Sequence, residues 1–406
     1  VGAGNVKVDL YKDDGTGNSV YQTTRNTDAN GYYLFDYLLD GDYVVVIPSS
    51  NFAGGAVLDG YYSSATSIDS SGALLEGAAA LSNADVDSDD NGMFQTTGGF
   101  IGGVASSVVT LGGVEPINES DLNGGSQGVQ PDNRANMTVD FGFYRTAIGD
   151  IVWLDENIDG EYDAGETLVD GASVRLYVSD GTTDVEIRNT TTDINGEYSF
   201  TDLPNGDYIL KVVGPAGMVS TTDAFNLADT TDPDVNANNN DNGIGKASNS
   251  VQSGTVTMTA GSAGALTQNT VVQNNGTTTN PTLDFGFVYP YALGNRVWFD
   301  TDNNSQIDFA NELGVDGVTV DLYSSADLTT IVATDTTSPD GYYLFDNLFP
   351  GEYVVVLPAS NFNGGALTGY WSSATLRAAD GTIGETAAPD ADNDLDSDDN
   401  GTMQTA

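Results

Sequence analysis

Asp155, Asn157, Asp159, Asp163 and Glu166 occupy the first, third, fifth, ninth and twelfth places of DENIDGEYDAGE (Asp155–Glu166). A loop that wraps calcium in hard oxygen ligands draws on those places, with a bidentate Glu at the end. Gly160 falls sixth, where the chain must turn sharply, and Glu161 falls seventh, where the backbone carbonyl is the ligand. The pattern predicts a calcium loop; the alternative is an acidic, solvated turn in a very acidic chain.

The flanks are IGDIVW (Ile148–Trp153) and ASVRLYV (Ala172–Val178), which read as strands, so the loop has the EF-hand spacing without EF-hand helices. It recurs. LGNRVWFDTDNNSQIDFANELGVDGVTVDLY (Leu293–Tyr323) follows the first copy from strand through loop to strand. Asp300, Asp302, Asn304, Asp308 and Glu312 are the expected ligands there. Ser305 stands near the place of the turn glycine and one inserted residue makes Glu312 thirteenth, so looser geometry and weaker binding are expected.

Further acid comes in clusters. NADVDSDDNG (Asn83–Gly92) offers Asp85, Asp87 and Asp89, and DADNDLDSDDNG (Asp390–Gly401) offers Asp394, Asp396 and Asp398. A weaker run, DTTDPDVNANNNDNG, spans Asp229–Gly243. Alternating Asp brings several oxygens within reach of one ion. A solubilising acid run is the other reading.

The elements that must position these residues repeat on the scale of whole domains. Tyr11, Tyr177 and Tyr323 hold equivalent places in VDLY, VRLY and VDLY. Each copy then carries a segment read as a hairpin: Asp28–Pro48, Asp193–Val213 and Pro339–Pro358. In the first, Tyr33, Phe35, Tyr43, Val45 and Ile47 alternate towards one face and Leu38 plugs the loop edge, with the glycines supplying turns. Closing strands follow as MTVDFGFY (Met137–Tyr144) and PTLDFGFV (Pro281–Val288), and only a few residues separate each from the next copy.

The expected fold is all-β: tandem Ig-like or prealbumin-like antiparallel β-sandwiches in three copies, the first and last incomplete. The expected divisions are 1–146 (lacking its first strand and calcium loop), 147–289 (complete) and 290–406 (lacking its last strands). The first and third copies resemble each other most, as NFAGGAVLDGYYSSAT (Asn51–Thr66) and NFNGGALTGYWSSAT (Asn361–Thr375) show. The ends are expected to be cuts in a longer array, with complementary halves joining head to tail as the rival.

Composition sets the surroundings. A formal charge of −48 repels itself unless cations neutralise it, and argues against nucleic acid or anionic membranes as partners. A hydrophobic share of 39% still allows real cores. With no cysteine, neither disulfides nor thiolate metal sites exist, and metal ions are left to do the stapling. No apolar run reaches the length of a membrane span, and the first residues lack signal-peptide character.

Taken together, these motifs resemble the SdrD B-like repeats of serine–aspartate-repeat adhesins, related to the Cna B-type domains. The resemblance rests on the G-D/N-x-V-W-x-D opening, the calcium loop, the Gly-x-Tyr-x-Phe segment and the DxDSD cluster, and it spans all three copies. It implies calcium-rigidified rods at a bacterial surface or in extracellular fibres. It also implies Asp155, Asn157, Asp159, Asp163 and Glu166 as ligands, with the aspartate clusters as further sites. Many Cna B-type domains carry a Lys–Asn crosslink; Lys7 suits that role, but Ser173 and Thr319 stand near its place in the other copies, so no general crosslink is expected.

Three functions follow as expectations. The first is a non-enzymatic, calcium-stiffened structural module, secreted or on a cell surface, with calcium and other copies of itself as partners. The second is a carbohydrate- or protein-binding adhesin module, motivated by Tyr61–Tyr62 and Tyr370–Trp371, although a buried sandwich edge also explains those rings. The third, an enzyme, lacks the usual bases and nucleophiles, since His and Cys are absent.

Overall fold

The computed structural model describes residues 2–16, 18–83, 89–113, 115–117, 130–221, 241–244, 249–260, 277–280, 282–389, 391–392 and 398–403. Among them, strands are joined by turns and four single-turn 3-10 helices, and no helix is long and apolar enough to cross a membrane. The chain divides into two compact units, Val1–Val288 and Tyr289–Ala406.

The second copy shows the sandwich most fully. In one sheet the long strand Phe143–Leu154 pairs with Thr167–Leu168, Glu197–Leu203 and Phe285–Val288. The other sheet runs Asp184–Thr191, Ser173–Ser179, Gly206–Val213, Ser250–Gln252. Alternation aims Val152, Val174, Leu176, Tyr198, Phe200, Leu210, Val212, Phe285 and Phe287 into one core between the sheets. Each such fully buried side chain contributes roughly 1.5–3 kcal/mol. Most ladders are antiparallel, but Val152–Leu154 runs parallel to Phe285–Phe287, so this sheet is mixed.

The segments read as hairpins are not hairpins. Glu197–Leu203 pairs with the long strand of one sheet, whereas Gly206–Val213 pairs with Ser173–Ser179 of the other. The chain between them is an arch from sheet to sheet. The reason lies in the two runs of apolar alternation, which bury Tyr198 and Phe200 from one side of the core and Tyr208 and Leu210 from the other. The same arch recurs in all three copies. Tyr37, Asp202 and Asn347 turn it at φ 59°, 55° and 55°. A tyrosine then ties it down, as Tyr43, Tyr208 and Tyr353 donate to the carbonyls of Leu39, Pro204 and Phe349 at 2.8, 2.6 and 2.9 Å.

In the first copy Lys7–Asp13 lies between Ser19–Asn26 and Gly41–Ile47, over a core of Val8, Leu10, Val45, Ile47 and Val104. Tyr33, Phe35 and Leu38 pack on that core, yet residues 31–40 form no strand. In the other copies the equivalent residues pair with the strand that leads into the acidic loop. In the second unit Thr319–Ser324 pairs with Asp327–Thr336 and Tyr353–Val356, while Tyr291–Arg296 pairs with Tyr342–Leu348. Val318, Val320, Leu322 and Phe345 fill its core.

Candidate metal centre

Asp155 enters its loop from the end of the long strand, and its amide donates to the carbonyl of Phe287 at 2.8 Å. Its carboxylate, fully buried, accepts the amides of Ile158 at 2.6 Å, Gly160 at 2.9 Å and Asp159 at 3.2 Å. The chain therefore folds around its own first ligand position. Gly160 turns at φ 77°, a left-handed conformation that glycine adopts at little cost. Asn157 donates to Asp159 and Asp163 at 2.9 and 3.2 Å. The Glu166 carboxylate closes the loop by accepting the amides of Glu156 and Asp163, both at 2.9 Å. Glu161 donates its amide to Asp159 at 2.9 Å.

The third copy builds the same frame. Asp300 accepts the amides of Asn304 and Ser305 at 3.2 and 2.9 Å, and Glu312 accepts those of Thr301 and Asp308 at 2.6 and 2.9 Å. Ser305 takes up φ 63° in the place of the turn glycine. The inserted residue is absorbed by a wider turn: Glu312 bonds back to Asp308 at 2.7 Å, where Glu166 bonds back to Asp163 at 3.1 Å. Among the described residues, Asp300, Asp302 and Glu312 form a group in which one carboxylate oxygen from each lies within 4.8 Å of the others. Three hard anionic oxygens that close suit a divalent oxygen-seeking cation such as calcium. Asp302 makes the difference from the second copy, where the third place is Asn157.

The acidic clusters meet these loops. Asp241 donates its amide to the carbonyl of Gly160 at 2.9 Å, and Asp399 donates to that of Ser305 at 3.0 Å. A hydroxyl sits beside each contact. The Thr221 hydroxyl donates to the Asp241 carboxylate at 3.1 Å and lies beside that of Asp155, and the Ser373 hydroxyl lies beside the carboxylates of Asp300 and Asp399. In the first copy Ser64 and Asp90 hold the corresponding places, and one carboxylate oxygen of Asp90 is buried without a partner. Reading the residues alone missed Thr221, Ser373 and these last aspartates; the Asp-Asn-Gly that ends every cluster was the available signal.

Of the cluster residues singled out, Asp85, Asp87, Asp394 and Asp396 lie outside the described residues. Asp89 is exposed, and Asp398 makes a bridge to Gln306 within the third-copy loop.

Electrostatics follow burial. Asp155 is pushed up by loss of solvent, against the amides of Gly160 and Ile158 and the Thr221 hydroxyl. Asp300 is less enclosed; although burial opposes it, the Ser305 amide and the Ser373 hydroxyl hold it below the usual value. Burial also raises Asp399, and the charges of Glu385 and Asp300 add to the rise. A cation among these carboxylates would offset the burial that raises Asp155 and Asp399.

The geometry defines a class: tandem β-sandwich repeat modules, the second and third each carrying an acidic loop. The SdrD B-like domain model matches residues 146–262 and 291–405, and the chain belongs to that family. It is 29% identical over 357 residues to serine-aspartate repeat-containing protein E of Staphylococcus aureus (strain USA300), covering 87% of this chain and 22% of that protein. It is 30% identical over 357 residues to the bone sialoprotein-binding protein of Staphylococcus aureus, again covering 87% of this chain and 22% of that one. The chain therefore spans about a fifth of the length of these relatives. Among solved structures, the major pilin subunit BcpA of Bacillus cereus aligns over 94% of this chain and 87% of its own, at 11% identity and TM-score 0.28. A streptococcal ancillary pilin aligns over 96% and 90%, at 10% identity and TM-score 0.25.

Proposed function

We propose that this chain is part of a non-enzymatic structural array on a bacterial surface or in an extracellular fibre, and that calcium stiffens its sandwiches. The observation that carries this is the twice-built loop, above all the grouped carboxylates of Asp300, Asp302 and Glu312. Asp155, Asn157, Asp159, Asp163, Glu166 and the Glu161 carbonyl would hold one ion; Asp300, Asp302, Asn304, Asp308 and Glu312 would hold another. Each ion would bind two ends of a loop that closes one sheet, and would offset the self-repulsion of a chain at −48. Because the ion binds the folded form only, a site at 100-fold excess of free calcium adds about 2.7 kcal/mol. The membership in the SdrD B-like family supports the extracellular setting.

The test is calorimetric melting in millimolar calcium and in excess EDTA, with elemental analysis of the protein after desalting. A calcium-dependent rise in melting temperature, reduced in Glu166→Gln and in Glu312→Gln, is expected. Identical melting in both buffers, with no metal retained, would reduce both loops to acidic turns.

The adhesin reading rests on Tyr370 and Trp371, which are 53% and 61% exposed and so do not form a buried sandwich edge in the third copy. Their counterparts in the first copy favour a different role for this face.

A further inference from the structure

Tyr61 and Tyr62, the first-copy equivalents of Tyr370 and Trp371, are half-buried, where the joining strand and the arch of the second copy meet them. The Tyr62 hydroxyl donates to the carbonyl of Asp202 at 3.2 Å, and the Arg145 guanidinium stacks over the Tyr61 ring at 4.7 Å. Arg145 also reaches the Asp202 carboxylate at 3.8 Å. The Asp202 carbonyl is shared with Arg188, which donates to it at 2.8 Å.

Beside them, Tyr144 is buried and its hydroxyl joins the two copies. It donates to the Thr66 carbonyl of the first and accepts the Asn205 amide of the second at 2.8 Å. The main chains also pair directly: Ile68 donates its amide to the Asn205 carbonyl at 2.9 Å, with Ser67 bridged in parallel to Asn205. Packing is close. A Cβ at Gly60 would collide with the Asp202 side chain, and one at Gly206 would approach the Ile68 methyl to 2.6 Å. Under it all runs Phe143–Leu154, one strand of 12 residues that ends the first copy and opens the second.

We propose that the face of Tyr61, Tyr62, Ile68 and Tyr144 is a docking surface for the arch of the second copy, and that it locks these two copies into one rigid block without metal. None of the locking groups belongs to either calcium loop. They are neutral hydrogen bonds, a main-chain bridge, a stacked arginine and one ion pair, and none of these needs a cation.

The chemistry is also specific to this junction. Asn205 is replaced in the third copy by Pro350, which has no amide hydrogen to donate, and Asp202 by the uncharged Asn347. Where the first junction has Tyr144 and Arg145, the second has the run Val288, Tyr289, Pro290. Among the described residues, nothing lies within 4 Å of a Cβ built at Gly369, the counterpart of Gly60.

The absence of cysteine makes the test direct. Spin labels on Gln22→Cys and Ile194→Cys, both at exposed positions, report the distance between the two copies in the full chain. One narrow distance distribution is expected, the same in millimolar calcium and in EDTA. Tyr144→Phe combined with Arg145→Ala should broaden it in both buffers, and so should Tyr62→Ala with Asp202→Asn. Circular dichroism of each variant shows whether the sandwiches themselves stay folded. A distribution that broadens on chelation in the unsubstituted joint overturns the lock, yet leaves the calcium role standing. A distribution unchanged by either pair of substitutions, in folded protein, also overturns it, because strand continuity alone would then set the geometry.

Discussion

The amide of Asp399 donates to the carbonyl of Ser305 at 3.0 Å, which joins the end of an acidic cluster to the sharp turn of a ligand loop far earlier in the chain. Asp241 makes the same bond to Gly160 at 2.9 Å in the second copy. Loop and cluster are thus two parts of one acidic corner, clasped by the hydroxyl of Ser373 or Thr221.

Ser305 carries the cost of a left-handed turn without being glycine. A non-glycine residue there is strained by roughly 1–2 kcal/mol, part of which glycine gives back as lost chain freedom. Ser305→Gly should therefore stabilise the second unit by about 0.5–1 kcal/mol and leave the loop geometry intact. Denaturant melting of the variant measures the gain, and calcium titration calorimetry should show unchanged or tighter binding. A loss of stability would mean that the serine side chain itself holds the turn.

Gly286 lies under the clasp. A Cβ there would meet the Thr221 hydroxyl at 2.6 Å and the Trp153 ring at 3.0 Å. Overpacking of this kind typically costs about 1–3 kcal/mol. Gly286→Ala should lower the melting temperature of the first unit and displace Trp153, which is seen as a change in its fluorescence. Wild-type stability and an unchanged spectrum would contradict the packing described here.

Tyr208 anchors its arch through a buried hydroxyl bonded to Pro204 at 2.6 Å. Tyr208→Phe keeps the ring and removes that bond, at an expected cost of about 1 kcal/mol. The partly buried anchor of Tyr353 to Phe349 should cost less when removed in the same way. Urea unfolding of the two variants compares them.

Asp150 gives the metal-free chain a pH dependence. Burial pushes its carboxyl up to about 7; a hydrogen bond with Asp284 opposes the rise and the charge of Glu197 adds to it. The folded state then keeps a proton that the unfolded chain releases near its ordinary value of 3.8. Stability from this group is full below that value and is lost as pH rises through about 7. In EDTA, the melting temperature should fall between pH about 4 and about 7, and Asp150→Asn should flatten the slope. Asp14, Asp69, Asp180 and Asp327 are held low by hydrogen bonds from neighbouring Thr and Ser side chains, so they act only in stronger acid. A melting temperature that is flat with pH would contradict the raised carboxyl.

The sequence by itself determined the residue-local part of this protein. Ligand spacing in Asp155–Glu166, apolar alternation in strands such as Ser173–Ser179, and the all-β repeat are properties of neighbouring residues. They can be read because turn geometry and side-chain direction repeat along the backbone with fixed periods. The tertiary structure decided what depends on residues distant in the chain. Two adjacent alternating runs look alike whether they fold back as a hairpin or part into an arch; only the position of Ser173–Ser179 and Phe143–Leu154 separates those outcomes. The same holds for the third-copy loop. Its substituted glycine and its extra residue are taken up by a left-handed serine and a wider turn, which the spacing alone does not show. The meeting of Asp399 with Ser305, and of Tyr144 with Asn205, is set by which sheets pack together, and no local period encodes that.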